Sequence, residues 1–157
     1  MSTQDLFRKL YSLAGALLLL ECLGQFFLAG LMLFTLAKGG ESKEMLWAAE
    51  QSSQVFFAIH VFNGTVIVPS TMALLVVFSF AARHPWRTTG LSATLLPLLL
   101  VQYLLADQAF AAHQSGSPLL AAFHPLNGLL ILGLTLWLLW RHWAFPLPFG
   151  RPLPRLA

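Results

Sequence analysis

Four long apolar stretches, separated by short polar segments, dominate the chain. Each is longer than the roughly 20 apolar residues that an α-helix needs to cross the bilayer core. The pattern predicts an all-α bundle of four transmembrane helices over residues 1–144, followed by a proline-rich tail over residues 145–157. The predicted spans are residues 10–37, 55–82, 91–112 and 118–140.

The composition excludes several other classes of protein. Hydrophobic residues make up 57% of the chain and charged residues only 10%, against roughly 25% charged in soluble domains. A disulfide scaffold is excluded because Cys22 is the single cysteine. The net charge of +3 is too small for a nucleic-acid-binding surface. We therefore expect contact with membrane lipid and none with nucleic acid.

The basic residues predict the orientation. Seven of the nine lie on one side of the predicted membrane, and only Lys38 and Lys43 lie on the other. An excess of Lys and Arg marks cytoplasmic loops, so we expect both termini in the cytoplasm. The seven are Arg8, Lys9, Arg83, Arg87, Arg141, Arg151 and Arg155.

The even-numbered spans resemble each other in sequence. The segment from His60 to Gly64 reads His-Val-Phe-Asn-Gly, and 64 positions later the segment from His124 to Gly128 reads His-Pro-Leu-Asn-Gly. The odd spans match as well, because residues 23–29 align with residues 100–106 at an offset of 77. The pattern predicts a duplicated helix pair with an approximate two-fold axis along the membrane normal.

This repeat carries the candidate site residues. Spans two and four run in the same direction, so the two histidines are expected at matching depth near the outer face. Each histidine is followed at i+3 by Asn and at i+4 by Gly on the same helix face. The missing glycine side chain leaves space for a flat macrocycle. The six candidates are His60, Asn63, Gly64, His124, Asn127 and Gly128.

Two imidazoles facing each other in an apolar bundle are suited to axial ligation of a haem iron. The chain has no Cys-x-x-Cys-His motif for covalent attachment, so we expect one haem b per chain, with His60 and His124 as iron ligands. The alternative is that both histidines only join helices by hydrogen bonds. Zinc or copper would need three or four ligands, and His113, the nearest further histidine, is interpreted as interfacial or as a contact to a haem propionate or substrate.

His84 and His142 each follow an arginine at a cytoplasmic helix end, which raises the question of a second haem. At 100° per residue His84 lies 240° round the helix from His60, whereas His142 lies at 0° from His124. The two do not share a face on this count. We therefore expect both to be solvated basic flanks.

Two acidic residues lie inside the predicted spans, Glu21 near the midplane and Asp107 near the expected depth of the histidine pair. A carboxyl group in hydrocarbon is costly to ionise, which makes each a functional hypothesis. We expect Asp107 to accept a proton when the haem is reduced, with Glu21 as the alternative. Both also fit a structural role as neutral, hydrogen-bonded acids.

The four-helix pattern, with a histidine near the outer end of helices two and four, resembles one half of heme A synthase and related small bacterial four-helix haem-b membrane proteins. The resemblance is specific at His60 and His124, and at the run His-x-x-Asn-Gly-Leu-Leu-Ile-Leu-Gly that begins at His124. It implies haem binding and the bacterial inner (plasma) membrane. The catalytic glutamate and the outer-loop cysteine pair of that family have no counterpart here.

Three functions follow from these observations. The first is a b-type cytochrome-like electron carrier or subunit that exchanges electrons with quinol or with a larger respiratory or photosynthetic membrane complex. The second is a haem-modifying oxidoreductase, similar to a half-size heme A synthase and acting as a homodimer. The third is an accessory subunit without a cofactor. Whether the chain is an enzyme stays open, and the first function is preferred.

Overall fold

The computed structural model describes residues 1–38, 43–111 and 118–145, and the secondary structure of these residues is helical. Four of its helical segments are long and apolar enough to cross a membrane, which confirms the predicted all-α architecture with four candidate spans. His113 and residues 146–157 of the predicted tail lie outside the described residues. The elements are α1 (Thr3–Lys38), α2 (Lys43–Phe62), a π-helical segment (Asn63–Ile67), α3 (Val68–Ala81), α4 (Trp86–Ala111) and α5 (Pro118–His142).

The helices extend beyond the apolar stretches. Helix α1 begins at Thr3 rather than at residue 10, and α2 begins at Lys43 rather than at residue 55. Residues 43–54 contain no glycine or proline and include Glu, Lys, Met, Leu and Ala, which are strong helix formers. The helix therefore continues through polar sequence that hydropathy alone had excluded from the second span.

The second span contains a π-helical segment, Asn63–Ile67, between α2 and α3. Pro69 follows it in the first turn of α3. Proline has no backbone N–H, and its ring collides with the carbonyl four residues earlier, here that of Thr65. Widening the turn relieves this collision, and π-bulges of this kind are frequent at functional sites. The equivalent position in α5 is Gly133, where the α-helix is regular.

The four spans form a ring. Helix α1 packs against α2, α3 and α5, while α4 packs against α3 and α5. The second and fourth spans, which carry the two histidines, therefore lie diagonally across the bundle. Among the described residues no Cα atom of α2 lies within 8 Å of one in α4 or α5. The described core lies at the end of the bundle that holds the α3–α4 turn, called the base below.

The base contains the packed core, with all four spans contributing. Tyr11 is fully buried and hydrogen-bonds Ser92, with 2.9 Å between their hydroxyl oxygens, and Ser79 pairs with Thr89 in the same way at 2.8 Å. Many large apolar side chains instead lie on the outside of the bundle. Polar groups between helices and apolar groups outside are typical of a bundle solvated by lipid. The largest fully buried apolar side chains are Tyr11, Leu18, Met72, Leu75, Leu95 and Leu138.

Candidate functional site

A cavity of about 520 Å³ lies between the α1–α2 pair and the α4–α5 pair, above the core. Its volume falls within the roughly 300–1,000 Å³ typical of small-molecule and cofactor sites. Both histidines of the repeat, His60 and His124, line it. The structure thus brings together two residues that are far apart in sequence and belong to helices that do not touch.

The cavity walls follow the sequence repeat. Residues at the offset of 64 occur in pairs on the α2 and α5 sides, and residues at the offset of 77 occur in pairs on α1 and α4. The two halves of the site therefore have matching polar and small residues at matching positions. The lining pairs are His60 and His124, Val61 and Pro125, Gly64 and Gly128, Cys22 and Leu99, Gln25 and Gln102, Phe26 and Tyr103, and Ala29 and Ala106.

His124 is held by Gln102 at both ring nitrogens. Its Nδ1 lies 3.2 Å from the backbone oxygen of Gln102, and its Nε2 lies 3.1 Å from the side-chain nitrogen of the same residue. A carbonyl oxygen only accepts, so Nδ1 carries the proton and Nε2 presents its lone pair to the amide. This is the tautomer that a metal-ligating imidazole needs, with Nδ1 oriented by a backbone carbonyl.

Gln25, the residue that the repeat pairs with Gln102, contacts His60 through the backbone of the histidine. The side-chain amide of Gln25 donates to the backbone oxygen of His60 at 3.0 Å, and the Gln25 backbone lies beside the imidazole ring. His60 Nδ1 is buried and, within the described part of the chain, has no partner at hydrogen-bond geometry.

The asparagines of the repeat have a different placement from the histidines, because neither lines the cavity. Asn127 is buried, and its amide donates to Leu98 O at 2.9 Å and to Gln102 Oε1 at 2.7 Å. The second of these bonds turns the Gln102 nitrogen towards His124. Asn127 therefore orients the glutamine that contacts the histidine, whereas Asn63 is half-buried beside the cavity wall.

The glycines of the repeat do line the cavity. A Cβ atom at Gly128 would lie 3.1 Å from Phe26 Cζ, and one at Gly64 would lie 3.5 Å from Gln25 Nε2. Side chains at these two positions would therefore meet Gln25 and Phe26 of α1. That the glycines leave space for a macrocycle stays a prediction.

Gln102 and Tyr103 lie in the repeated segment 100–106 but are not among the candidate site residues predicted from the sequence. In the structure both line the cavity, and the Tyr103 hydroxyl donates to Gly64 O in the π-helical segment at 2.8 Å. The alignment that pairs Gln25 with Gln102 contained the signal, because a glutamine repeated beside a repeated histidine indicates a shared role.

The two acidic candidates lie in different surroundings. Asp107 is exposed at the edge of the cavity. Glu21 lies below the cavity, only 8% exposed, and accepts a hydrogen bond from the Thr71 hydroxyl at 2.9 Å. Thr71 lies on the second span, so this hydrogen bond joins the first and second spans below the cavity.

The prediction that His84 and His142 are solvated flanks was wrong. Their ring centroids lie 4.7 Å apart at the base, the ring of Tyr11 is 4.7 Å from that of His84, and both histidines are half-buried. The periodicity argument failed because α3 ends at Ala81 and Arg83 adopts a left-handed φ of 53°. His84 is therefore not on the helix, and the direct ring contact leaves no space for a second macrocycle between the two imidazoles.

Among the described residues no group of three or more His, Cys, Asp or Glu is placed to hold a metal ion. The arrangement that those residues offer is a pair of imidazoles across a cavity. Comparisons with protein-family models, curated proteins and solved structures found no match. The resemblance to heme A synthase therefore stays a prediction from the sequence.

Proposed function

We propose that this chain is a b-type haem-binding membrane protein that transfers electrons, with one haem per chain. The observation that supports the proposal most strongly is that His60 and His124, on diagonal helices, both line one cavity of about 520 Å³. Two axial imidazoles are a ligand set that haem iron accepts. A haem held in this way supplies one-electron chemistry.

The residues around the histidines fit such a group. Gln102 O orients Nδ1 of His124, so the Nε2 lone pair of that ring points away from the backbone that holds it. His60 Nδ1 is buried and unpartnered within the described part of the chain. Gly64 and Gly128 add no side chain of their own to the cavity wall, where Gln25 and Phe26 lie against them. The Gln102 amide, which contacts His124 Nε2 here, has to move aside for a ligand at that nitrogen.

The proposal also includes the orientation, the evolutionary origin, the membrane and the partners of the protein. The excess of basic residues on one side supports cytoplasmic termini, and the paired cavity residues support an origin by duplication of a helix pair. We place the protein in the bacterial inner membrane. Quinol or a larger respiratory or photosynthetic complex would exchange electrons with it, and a second copy of the chain would be its partner in a homodimer.

One observation favours a second candidate, an accessory subunit without a cofactor. Gln102 engages both ring nitrogens of His124, which is also what two helices joined by polar side chains would show. In that case the histidine stabilises the contact between α4 and α5, and the cavity is filled by lipid or by another subunit.

Reduced-minus-oxidised absorption spectra of the protein, purified with its lipids, distinguish the two. We expect an α band from the parent, strong loss of haem in the variants His60→Ala and His124→Ala, and full haem content in His84→Ala. Mass analysis of the extracted pigment tests the haem-modifying alternative, because a b-type carrier yields unmodified haem. Equal pigment in all three variants, or none in the parent, would refute the assignment.

A further inference from the structure

Glu21 is a buried acid that the proposed haem site does not use. It lies in the middle of the candidate span Thr3–Thr35 and is 8% exposed. Its Oε1 accepts the hydrogen bond from Thr71, whereas Oε2 is buried and has no partner among the described residues. A carboxyl oxygen left unpaired in this way is expensive, and such groups call for an explanation.

Glu21 lies directly below the cavity. The next residue, Cys22, lines the cavity, and so does Gln25, one turn further on. Four residues of α-helix rise about 6 Å, so the carboxyl group lies about one turn below the glutamine that bonds His60 O. A second buried polar group near the cavity, the hydroxyl of Thr135, also has no partner among the described residues. Thr135 lies four residues after Ile131, which lines the cavity.

No basic side chain in the described structure is placed to balance the Glu21 charge. Along α1 the next basic residue, Lys9, is twelve positions away, or about 18 Å. The titratable side chains that line the cavity above Glu21 include no lysine or arginine. They are Cys22, His60, Tyr103, Asp107 and His124. An ionised carboxylate at Glu21 is therefore stable only when a positive charge lies in the cavity above it.

We propose that Glu21 takes up a proton when the site is reduced. The inference rests on the proposed function, because a bis-imidazole haem carries one positive charge when oxidised and none when reduced. One electron enters from a reductant such as quinol, and one proton from water binds the Glu21 carboxylate. The O–H bond that forms at Glu21 replaces one O–H bond of a hydronium ion, which leaves as water, and the total charge of the buried region is unchanged. Asp107 differs from Glu21 because its side chain is exposed at the cavity edge rather than buried.

The test is a redox titration of the purified holoprotein at a series of pH values, for the parent and for the variants Glu21→Gln and Asp107→Asn. We expect the midpoint potential of the parent to fall with rising pH, approaching 59 mV for each tenfold drop in proton concentration. Glu21→Gln should flatten this dependence, and Asp107→Asn should retain it. Infrared difference spectra should show a protonated-carboxyl band on reduction that Glu21→Gln lacks.

Thr71→Val provides a second test if Glu21→Gln does not fold. It keeps the shape of the side chain and the Glu21 carboxyl group but removes the hydrogen bond to Oε1, so the pH-dependent range should move to higher pH. An unchanged pH dependence in Glu21→Gln, or its loss only in Asp107→Asn, would overturn this inference and leave haem binding intact. A parent protein without a haem band would overturn both proposals.

Discussion

The histidine pair at the base provides a pH-dependent stability that can be measured without any cofactor. His84 lies in the α3–α4 turn, outside the candidate spans. Burial, the neighbouring His142 and Arg8 together lower the pKa of His84 from 6.5 to about 4. Its Nε2 is buried and has no partner among the described residues, so a proton added there would have no acceptor.

The direction of the effect follows from proton linkage. Between pH 6.5 and about 4 the unfolded chain binds a proton at His84 that the folded protein does not bind. The stabilisation is therefore complete above pH 6.5 and is lost as the pH falls towards 4. The full difference in pKa corresponds to about 3 kcal/mol. Because the imidazole is only half-buried, solvent screening reduces this to about 1–2 kcal/mol.

The assay is thermal unfolding of the detergent-purified protein at pH 7 and at pH 4.5. A change of 1 kcal/mol shifts the Tm of a chain of this size by about 2–4 °C. Between pH 7 and pH 4.5 the Tm of the parent should therefore fall by about 2–8 °C more than the Tm of His84→Gln. Arg87→Gln, which changes an exposed basic residue in the first turn of α4, should behave like the parent. If the Tm of His84→Gln falls by as much as the Tm of the parent, burial of this imidazole does not lower its pKa as argued.

Three further predictions concern the cavity. Gly64→Leu and Gly128→Leu should each prevent haem binding, because both positions line the cavity and a leucine would fill part of it. Gly133→Leu is the control and should retain haem, because a Cβ at this position meets no atom within 4 Å. Equal haem content in all three variants would show that the ring does not lie against these glycines. Gln102→Ala should keep haem affinity, because a competing amide is removed from His124 Nε2, while the haem-free protein loses about 1–2 kcal/mol; loss of haem in titrations would contradict this. Asn127→Leu should lower the free energy of unfolding by about 1 kcal/mol through its two lost hydrogen bonds, and Asn63→Leu should lower it less in the same unfolding assay.

The sequence alone predicted the four candidate spans, because the length and apolarity needed to cross hydrocarbon are local properties of the chain. It also pointed to His60 and His124, since an internal repeat relates residues without knowledge of their contacts. The repeat also paired Gln25 with Gln102, but it did not show what either glutamine contacts. The hydrogen bonds of Gln102 to His124 and Asn127 exist only once α4 and α5 are packed.

The tertiary structure decided the features that depend on helix ends and on distance in space. The contact between His84 and His142 follows from the turn at Arg83, where helical periodicity no longer describes the chain. Glu21 and Asp107 have different surroundings because Glu21 lies in the packed part of the bundle and Asp107 does not. Hydropathy records the solvent that a segment prefers, and so it determines the spans. Side-chain partners depend on the relative rotation and depth of separate helices, which only their packing defines.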